Sequence, residues 1–336
     1  MTDAMTEVMT APTGQPTTQA LPGATASADP PRPRVAIVVL TYNRREELIA
    51  NLRVMARTQA DIPIVVVDNH STDGTAAALA RHFPGIQVLR TDHNMGAAAR
   101  NVGVQACATP YVAFCDDDTC WAPGALARAA DILDAHPGLA IVSGKVLVGA
   151  AQRVDPTCEE MARSPLGRVA DRWPVLLGFM AGACVARRSA FLDAGGYEPR
   201  FFLGAEETLL CLDLVAVGWR IAYADEVATH HYPSAARDAR RRGWLLARNA
   251  IWVAWLRLPV ACAWRETVQQ LRLSGQTGLR LGVRTVWETL LGMPWVLPRR
   301  RVVPDAVAAM WRRLHGPAPN ASTSLPAGPS LHGDGR

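Results

Sequence analysis

From residue 35 the chain alternates short, unbroken apolar runs with amphipathic stretches. The runs at 35–40, 62–67, 86–89 and 111–115 contain almost nothing polar. That is how a strand covered on both faces reads. Between them, 44–58 places Leu48, Leu52 and Met55 on one side of a helix, and Ser71-Thr-Asp-Gly opens a second helix through about His82. Residues 95–107 predict an alanine-rich third helix. Strands and helices alternating at this spacing predict βαβ units in an α/β fold with an open, mostly parallel sheet flanked by helices. Further on, Gly204-Ala-Glu-Glu207 opens a helix carrying Leu209, Leu212, Leu214 and Val217. A strand at 220–223 leads through a turn to Val227-Ala-Thr-His230-His231.

Polar residues stand just past the carboxyl ends of these strands. Thr41 and Asn43 follow the first, Asp68 and Asn69 the second, and Asp116, Asp117 and Asp118 the fourth. Open α/β sheets bind ligands at that edge. Turns are polar in any case, but three strand ends in succession carrying Asn or Asp exceed what turning requires. Three adjacent carboxylates repel one another and call for compensating cations or donors. Mg²⁺ or Mn²⁺, hard cations that bridge carboxylates to phosphates, suit them. On an extended segment Asp116 and Asp118 would project to one side. The first strand is followed by Thr41-Tyr-Asn-Arg-Arg rather than a glycine-rich turn, and the only lysine is Lys145. Dinucleotide-binding and P-loop readings are therefore excluded.

Several segments, in order, resemble the successive signatures of family 2 glycosyltransferases, most nearly a rhamnosyltransferase-like bacterial branch. They are Val39-Leu-Thr-Tyr-Asn-Arg44, Val66-Val-Asp-Asn-His-Ser-Thr-Asp-Gly-Thr75, Asn94-Met-Gly-Ala-Ala-Ala-Arg-Asn-Val-Gly103 and Ala113-Phe-Cys-Asp-Asp-Asp-Thr119. A later block resembles the acceptor-side half: Gly182-Ala-Cys-Val-Ala-Arg-Arg-Ser-Ala-Phe191, Gly195-Gly-Tyr-Glu-Pro-Arg-Phe-Phe202 and Glu206-Glu207. The resemblance covers roughly residues 35–235. It implies a GT-A fold and metal-dependent, inverting transfer of a sugar from a nucleotide-diphosphate sugar to an acceptor hydroxyl, in cell-surface glycan or glycosylated-metabolite assembly.

By the same resemblance Thr41, Asn43, Asp68, Asn69, Arg100, Asp116 and Asp117 form the nucleotide-sugar site, with Asp68 on the base. Asp116 and Asp118 match the D-x-D signature that holds the metal on the diphosphate, and a bound cation stabilises the charge of the leaving group. Inversion needs a base on the opposite face of the sugar. Glu207 matches it, with Glu206 beside it, although acids are favoured in any first helical turn. Leu210 and Asp213 depart from the common pattern, which bears on acceptor contacts. His230 is expected as a third metal ligand, with His231 in reserve. Trp173, Phe179 and Met180 are read as core in preference to a sugar platform, and Arg187 and Arg188 carry no assigned role. A sugar nucleotidyltransferase is the alternative enzyme, but it wants an early glycine-rich loop; an inactive GT-A binding scaffold is the non-enzymatic alternative.

Charge divides the chain. From Arg237 to Arg313 there are 15 arginines against four acids and seven of the ten tryptophans, while the remainder is net acidic. The expected organisation is a disordered leader (1–34), a transferase domain (35–235, with a nucleotide half at 35–120 and an acceptor half at 121–235), a basic helical extension (236–315) and a disordered tail (316–336). In the extension Trp244, Ile251, Trp252 and Trp255 fall on one helical side with Arg240, Arg248 and Arg257 interleaved. Aromatic and cationic side chains together suit an anionic membrane surface along 237–301; the alternative packs the tryptophans on the body. No nucleic-acid module accompanies the charge. No signal peptide and no 18-residue apolar stretch is evident, and the seven cysteines lack CxxC spacing, so free thiols and a cytoplasmic protein, peripheral on the inner face of the plasma membrane, are expected.

Overall fold

The computed structural model describes residues 32–233 and 243–316. The expected disordered leader and tail, and the Arg240–Arg242 run, fall almost wholly outside the described residues. In chain order the elements are β1 (Val35–Thr41), α1 (Arg45–Thr58), β2 (Ile64–Asp68), α2 (Thr75–His82), β3 (Gln87–Arg90), α3 (Arg100–Ala106), β4 (Tyr111–Asp116), β5 (Thr119–Trp121) and α4 (Ala125–Ala135). There follow β6 (Leu139–Val148), β7 (Arg153–Val154), α5 (Pro156–Ala162), β8 (Arg168–Val169), β9 (Trp173–Leu176), β10 (Cys184–Arg187), α6 (Arg188–Asp193), α7 (Glu206–Ala216) and β11 (Arg220–His231). The C-terminal helices are α8 (Gly243–Arg257), α9 (Val260–Thr277), α10 (Leu279–Val296) and α11 (Asp305–His315).

The strands form one sheet in the order β3-β2-β1-β4-β10-β6-β11-β9-β8. The first four are parallel, as the unbroken apolar runs predict, and β10 enters antiparallel between β4 and β6. Register sets Thr41 beside Asp68 and Leu40 beside Asp116, so the polar strand ends lie side by side on one edge. Apolar side chains fill both faces of the sheet, with Val38, Val67 and Phe114 in one layer and Ile37, Val39 and Val66 in the other. Gly103 of α3 lets that helix lie on β1; a Cβ there would stand 2.5 Å from Val38 Cγ1. All seven cysteines are buried free thiols, as expected.

Three expectations change. Residues 95–107 are not one helix: Gly96–Ala99 is a 3₁₀ turn before α3, because Gly96 takes φ +61° and the Met95 amide is held by Asn69 Oδ1. Strand 220–223 and the segment 227–231 are one strand, β11, with an irregularity in its pairing to β6 between Ala224 and Ala228. The turn expected there is a local bulge that leaves the strand continuous.

The arginines of α8, expected beside the tryptophans on a membrane-facing side, turn into the protein. Arg248 is buried, 4.0 Å from the Trp252 ring centroid, and Arg257 forms a bidentate pair with Asp213 of α7. That pair accounts for the acid at 213, and Leu210 is core. Together Trp252, Leu256, Leu209, Leu212 and Trp311 form a third apolar cluster that fastens the extension to the body. Among the described residues no helix is long and apolar enough to cross a membrane.

Candidate functional site

β4 ends at Asp116, and Asp117 and Asp118 make the tight turn into β5. The run is therefore not extended, and the acids diverge. Asp116 pairs with the buried Arg100 guanidinium at the start of α3. Asp117 Oδ1 and Asp118 Oδ2 both accept from Arg44 Nη1, at 2.7 and 3.0 Å, and Asp117 Oδ2 accepts from Thr41 Oγ1 at 3.1 Å. The repulsion of three adjacent carboxylates is thus met by two arginines from different elements. Burial still pushes the Asp117 carboxyl up to about 7, against the pull of Arg44.

The histidine beside this turn is His231. Its Nε2 lies 3.6 Å from Asp118 Oδ1 and is buried without a hydrogen-bond partner. His230, the residue expected there, turns away to Gln152, whose Oε1 contacts its Nδ1. Successive strand residues face opposite sides, so the two histidines cannot share the position, and the pairing of His231 with Thr119 decides which one faces the acids.

At the end of β2, Asp68 is fully buried. Its Oδ1 accepts from the Ser71 amide and its Oδ2 has no hydrogen-bond partner. Asn43, at φ +52°, uses Oδ1 on the Thr72 amide. The Asn69 side chain is engaged within the protein. Its Nδ2 donates to Asn94 Oδ1 and Gly96 O, and its Oδ1 accepts from the Met95 amide and Thr91 Oγ1, which fixes the 94–96 loop and exhausts the amide.

The glutamate pair opens α7. Glu206 is buried with Oε2 unpartnered, and burial raises its carboxyl. Glu207 is pushed up to about 8, first by burial and then by the neighbouring Glu206, with Arg100 drawing it back and Asp116 adding to the rise. Both glutamates and Asp116 act on one buried arginine, Arg100, so the acidic turn and the glutamate pair converge across the end of the sheet.

The segment delivering the pair is strained. Phe202 sits at φ +63°, ψ −58° in a γ-turn closed by the Leu203 amide on Phe201 O, and Ala205 takes φ +65°. Such backbone holds about 1–3 kcal/mol per residue and persists only where its surroundings enforce it. Here Asn249 of α8, fully buried, enforces it. Its Nδ2 donates to Phe201 O, Leu203 O and Gly204 O at 2.9, 3.0 and 2.8 Å, while Oδ1 accepts from Arg248. The same turn reaches the 3₁₀ turn before α3, since the Ala97 amide donates to Phe202 O at 2.7 Å.

The family profile described as Glycosyl transferase family 2 matches residues 36–195. An uncharacterized glycosyltransferase of Mycobacterium bovis is 32% identical over 191 residues, which cover 57% of this chain and 83% of that protein. The chain is a family 2 glycosyltransferase. A Mycobacterium tuberculosis N-acetylglucosaminyl-diphospho-decaprenol L-rhamnosyltransferase is 25% identical over 241 residues, covering 60% of the transferase and 78% of that enzyme. Among solved structures, S. aureus TarS 1–349 in complex with UDP-GlcNAc aligns with TM-score 0.56 at 17% identity, over 82% of this transferase and 83% of that chain. A mannosyltransferase from Pyrobaculum calidifontis in complex with GDP-Man and Mn²⁺ aligns at 0.52 and 18%, over 84% and 88%. These neighbours establish a GT-A fold.

Sequence reasoning missed Arg44 and Asn249 in the transferase. Arg44 had a signal, because a run of three acids needs a cation nearby and Arg44 follows β1 directly. Asn249 had none, since its partners lie 45 to 48 residues away. Trp173 and Phe179 are core, and Arg187 lies over Tyr111 and Trp219 while donating to Leu133 O and Leu139 O, a structural role.

Proposed function

We propose that this glycosyltransferase transfers the sugar of a nucleoside diphosphate sugar to an acceptor hydroxyl with inversion, and that Glu207 is the base. The observation that carries the reading is the convergence of Glu207, Arg100 and Asp116. A half-buried carboxyl with a raised pKa stands within electrostatic reach of the cationic pole that faces the acidic turn. A base poised near neutrality takes a proton efficiently. The acceptor oxygen attacks the anomeric carbon as its proton passes to Glu207, and the bond to the diphosphate oxygen breaks with its electron pair. Arg100 and Arg44 lie on the side where that negative charge develops. Glu206 holds its neighbour's proton affinity high.

Among the described residues no group of three or more His, Cys, Asp or Glu side chains stands in metal-holding geometry. The donor set nonetheless fits Mg²⁺ or Mn²⁺. Carboxylates suit both ions, and the orphaned His231 Nε2 beside Asp118 is a vacant nitrogen donor. Asp116, Asp118 and His231 would hold the ion, with His231 replacing His230 in the expected set. When bound, such an ion supplies Lewis-acid charge to the diphosphate. Asp68, whose buried Oδ2 makes no hydrogen bond and lies 3.9 Å from Arg90 Nε, is proposed to meet the base. The rhamnosyltransferase relative, named for a diphospho-decaprenol-linked N-acetylglucosamine, favours surface-glycan assembly over metabolite glycosylation.

The test screens UDP-, dTDP- and GDP-sugars by thermal shift with Mn²⁺, then assays Glu207→Gln and Asp118→Ala with the stabilising donor. Glu207→Gln is expected to keep donor binding and abolish transfer, and Asp118→Ala to abolish Mn²⁺-dependent donor hydrolysis. Normal turnover in Glu207→Gln removes the base assignment, and normal Mn²⁺ dependence in Asp118→Ala removes the metal assignment.

A further inference from the structure

Helices α9 and α10 form a hairpin turned at Gly278, and α10 is inside out for a helix in water. Its inward face is small and polar. Thr285 is fully buried on Ser274, Thr289 gives its carbonyl to Trp252 Nε1, and Gly292 admits the Trp252 ring, which a Cβ would meet at 2.1 Å. Its outward face is large and apolar. Leu279, Val283, Trp287, Leu290 and Leu291 are 59–81% exposed, and Trp264 of α9 is 61% exposed. Singly exposed apolar residues need no explanation, but a contiguous stripe of them marks an interaction surface.

Charge decides what the surface meets. Residues 260–301 carry seven arginines and two glutamates. Glu288 already faces Arg248 and Arg284, and Glu266 accepts from Gln270. Arg265 and Arg272 of α9 and Arg280 of α10 are exposed on the same hairpin as the stripe. A second copy of this chain would bring like charge against like, which disfavours self-pairing. An anionic bilayer supplies both what the stripe and what its rim require. Each helix has 18 residues, about 27 Å of rise, yet neither is apolar enough to span.

We infer that the α9–α10 hairpin seats the protein on an anionic lipid bilayer, with the Trp287–Leu291 stripe in the acyl boundary and the arginines on the headgroups. The expectation of membrane contact along 237–301 is thereby narrowed. Ile251, Trp252 and Trp295 are turned into the protein, and the lipid face is 264–291. Helix α8 separates this hairpin from the turn that delivers Glu206 and Glu207: Leu246 of α8 lies where a Cβ on Gly204 would be, at 2.0 Å, while Trp252 meets α10. The bilayer therefore lies one helix from the acceptor side of the site. The docking does not depend on the transfer mechanism proposed above.

The test is flotation of the full chain with vesicles of phosphatidylcholine containing about one-third phosphatidylglycerol, against pure phosphatidylcholine. Binding to the anionic vesicles is expected, weakening as salt rises. Trp287→Glu with Leu291→Glu should lower the partition coefficient about a hundredfold, since each side chain contributes about a decade or more on burial. Arg272→Glu with Arg280→Glu should remove the preference for anionic vesicles. All four positions face solvent, so thermal unfolding and donor hydrolysis should match the parent. A protein that does not float, or whose flotation ignores both double variants, overturns the inference. So does a dimer in solution, seen by light scattering, that Trp287→Glu/Leu291→Glu dissolves.

Discussion

Asn249→Asp is the most informative single change outside the reacting groups. Asp keeps the size of Asn and the oxygen that accepts from Arg248, but it removes the NH₂ that restrains the turn before Glu206. Phe201 O retains the Leu203 amide and Arg248 as donors, whereas Leu203 O and Gly204 O lose the side-chain donor they have. Leaving a buried carbonyl unpaired costs about 1–3 kcal/mol, so two amount to about 2–6 kcal/mol against the seated turn. Phe202 and Ala205 add about 1–3 kcal/mol each that is released when the turn relaxes. Even the lower end makes the unseated arrangement competitive, because about 1.4 kcal/mol changes a population ratio tenfold. Steady-state transfer should show kcat falling by about tenfold or more, while the donor dissociation constant rises only about threefold, through the Ala97 contact. A folded Asn249→Asp enzyme with kcat within about twofold of the parent would refute the positioning role.

Three further outcomes test the site and the core. The Glu207 carboxyl is raised in the folded protein above its usual value of about 4.3, so between that value and about 8 the folded state holds a proton the unfolded chain has released. Its contribution to stability is therefore largest below the unfolded value and is lost as pH rises through the folded one. The melting temperature of Glu207→Gln should gain on the parent from pH 5 to 8, and a constant difference would count against the raised carboxyl. Arg44→Ala strips the buried Asp117 and Asp118 of a shared cation and should lower unfolding stability by about 3–5 kcal/mol in urea titration; a loss under about 1 kcal/mol contradicts the ion-pair reading. Gly103→Ala drives a methyl against Val38 and should cost about 1–3 kcal/mol, measured the same way, and an unchanged midpoint would mean that α3 shifts freely on β1.

The parallel half of the sheet was readable because a strand buried on both faces has no polar alternation to confuse it, and its polar edge because three strand ends were polar together. What eluded the sequence depends on contacts between distant residues. The choice of His231 over His230 rests on the register of β11 with β5, where one step reverses the facing side. The divergence of the three aspartates depends on a tight turn and on arginines from α1's leading edge and α3. The extension's tryptophans were visible as an apolar theme, but which of them turn inward follows from Gly292 and Thr289 making room for Trp252. Arg248 and Arg257, countable as surface charge, are internal because Phe201 O and Asp213 receive them.

The meeting of Gly96 with Phe202 sets a rule for building chimeras of this enzyme. The seam has no room for even a methyl group, since a Cβ on Gly96 would fall 1.8 Å from Phe202 O, and it joins the two halves by a main-chain hydrogen bond that no side-chain redesign can replace. A transplanted front half must therefore arrive with glycine at that place and with the amide of residue 97 aimed outward. Exchanges that ignore this joint would dislodge the Glu206–Glu207 pair on the other side.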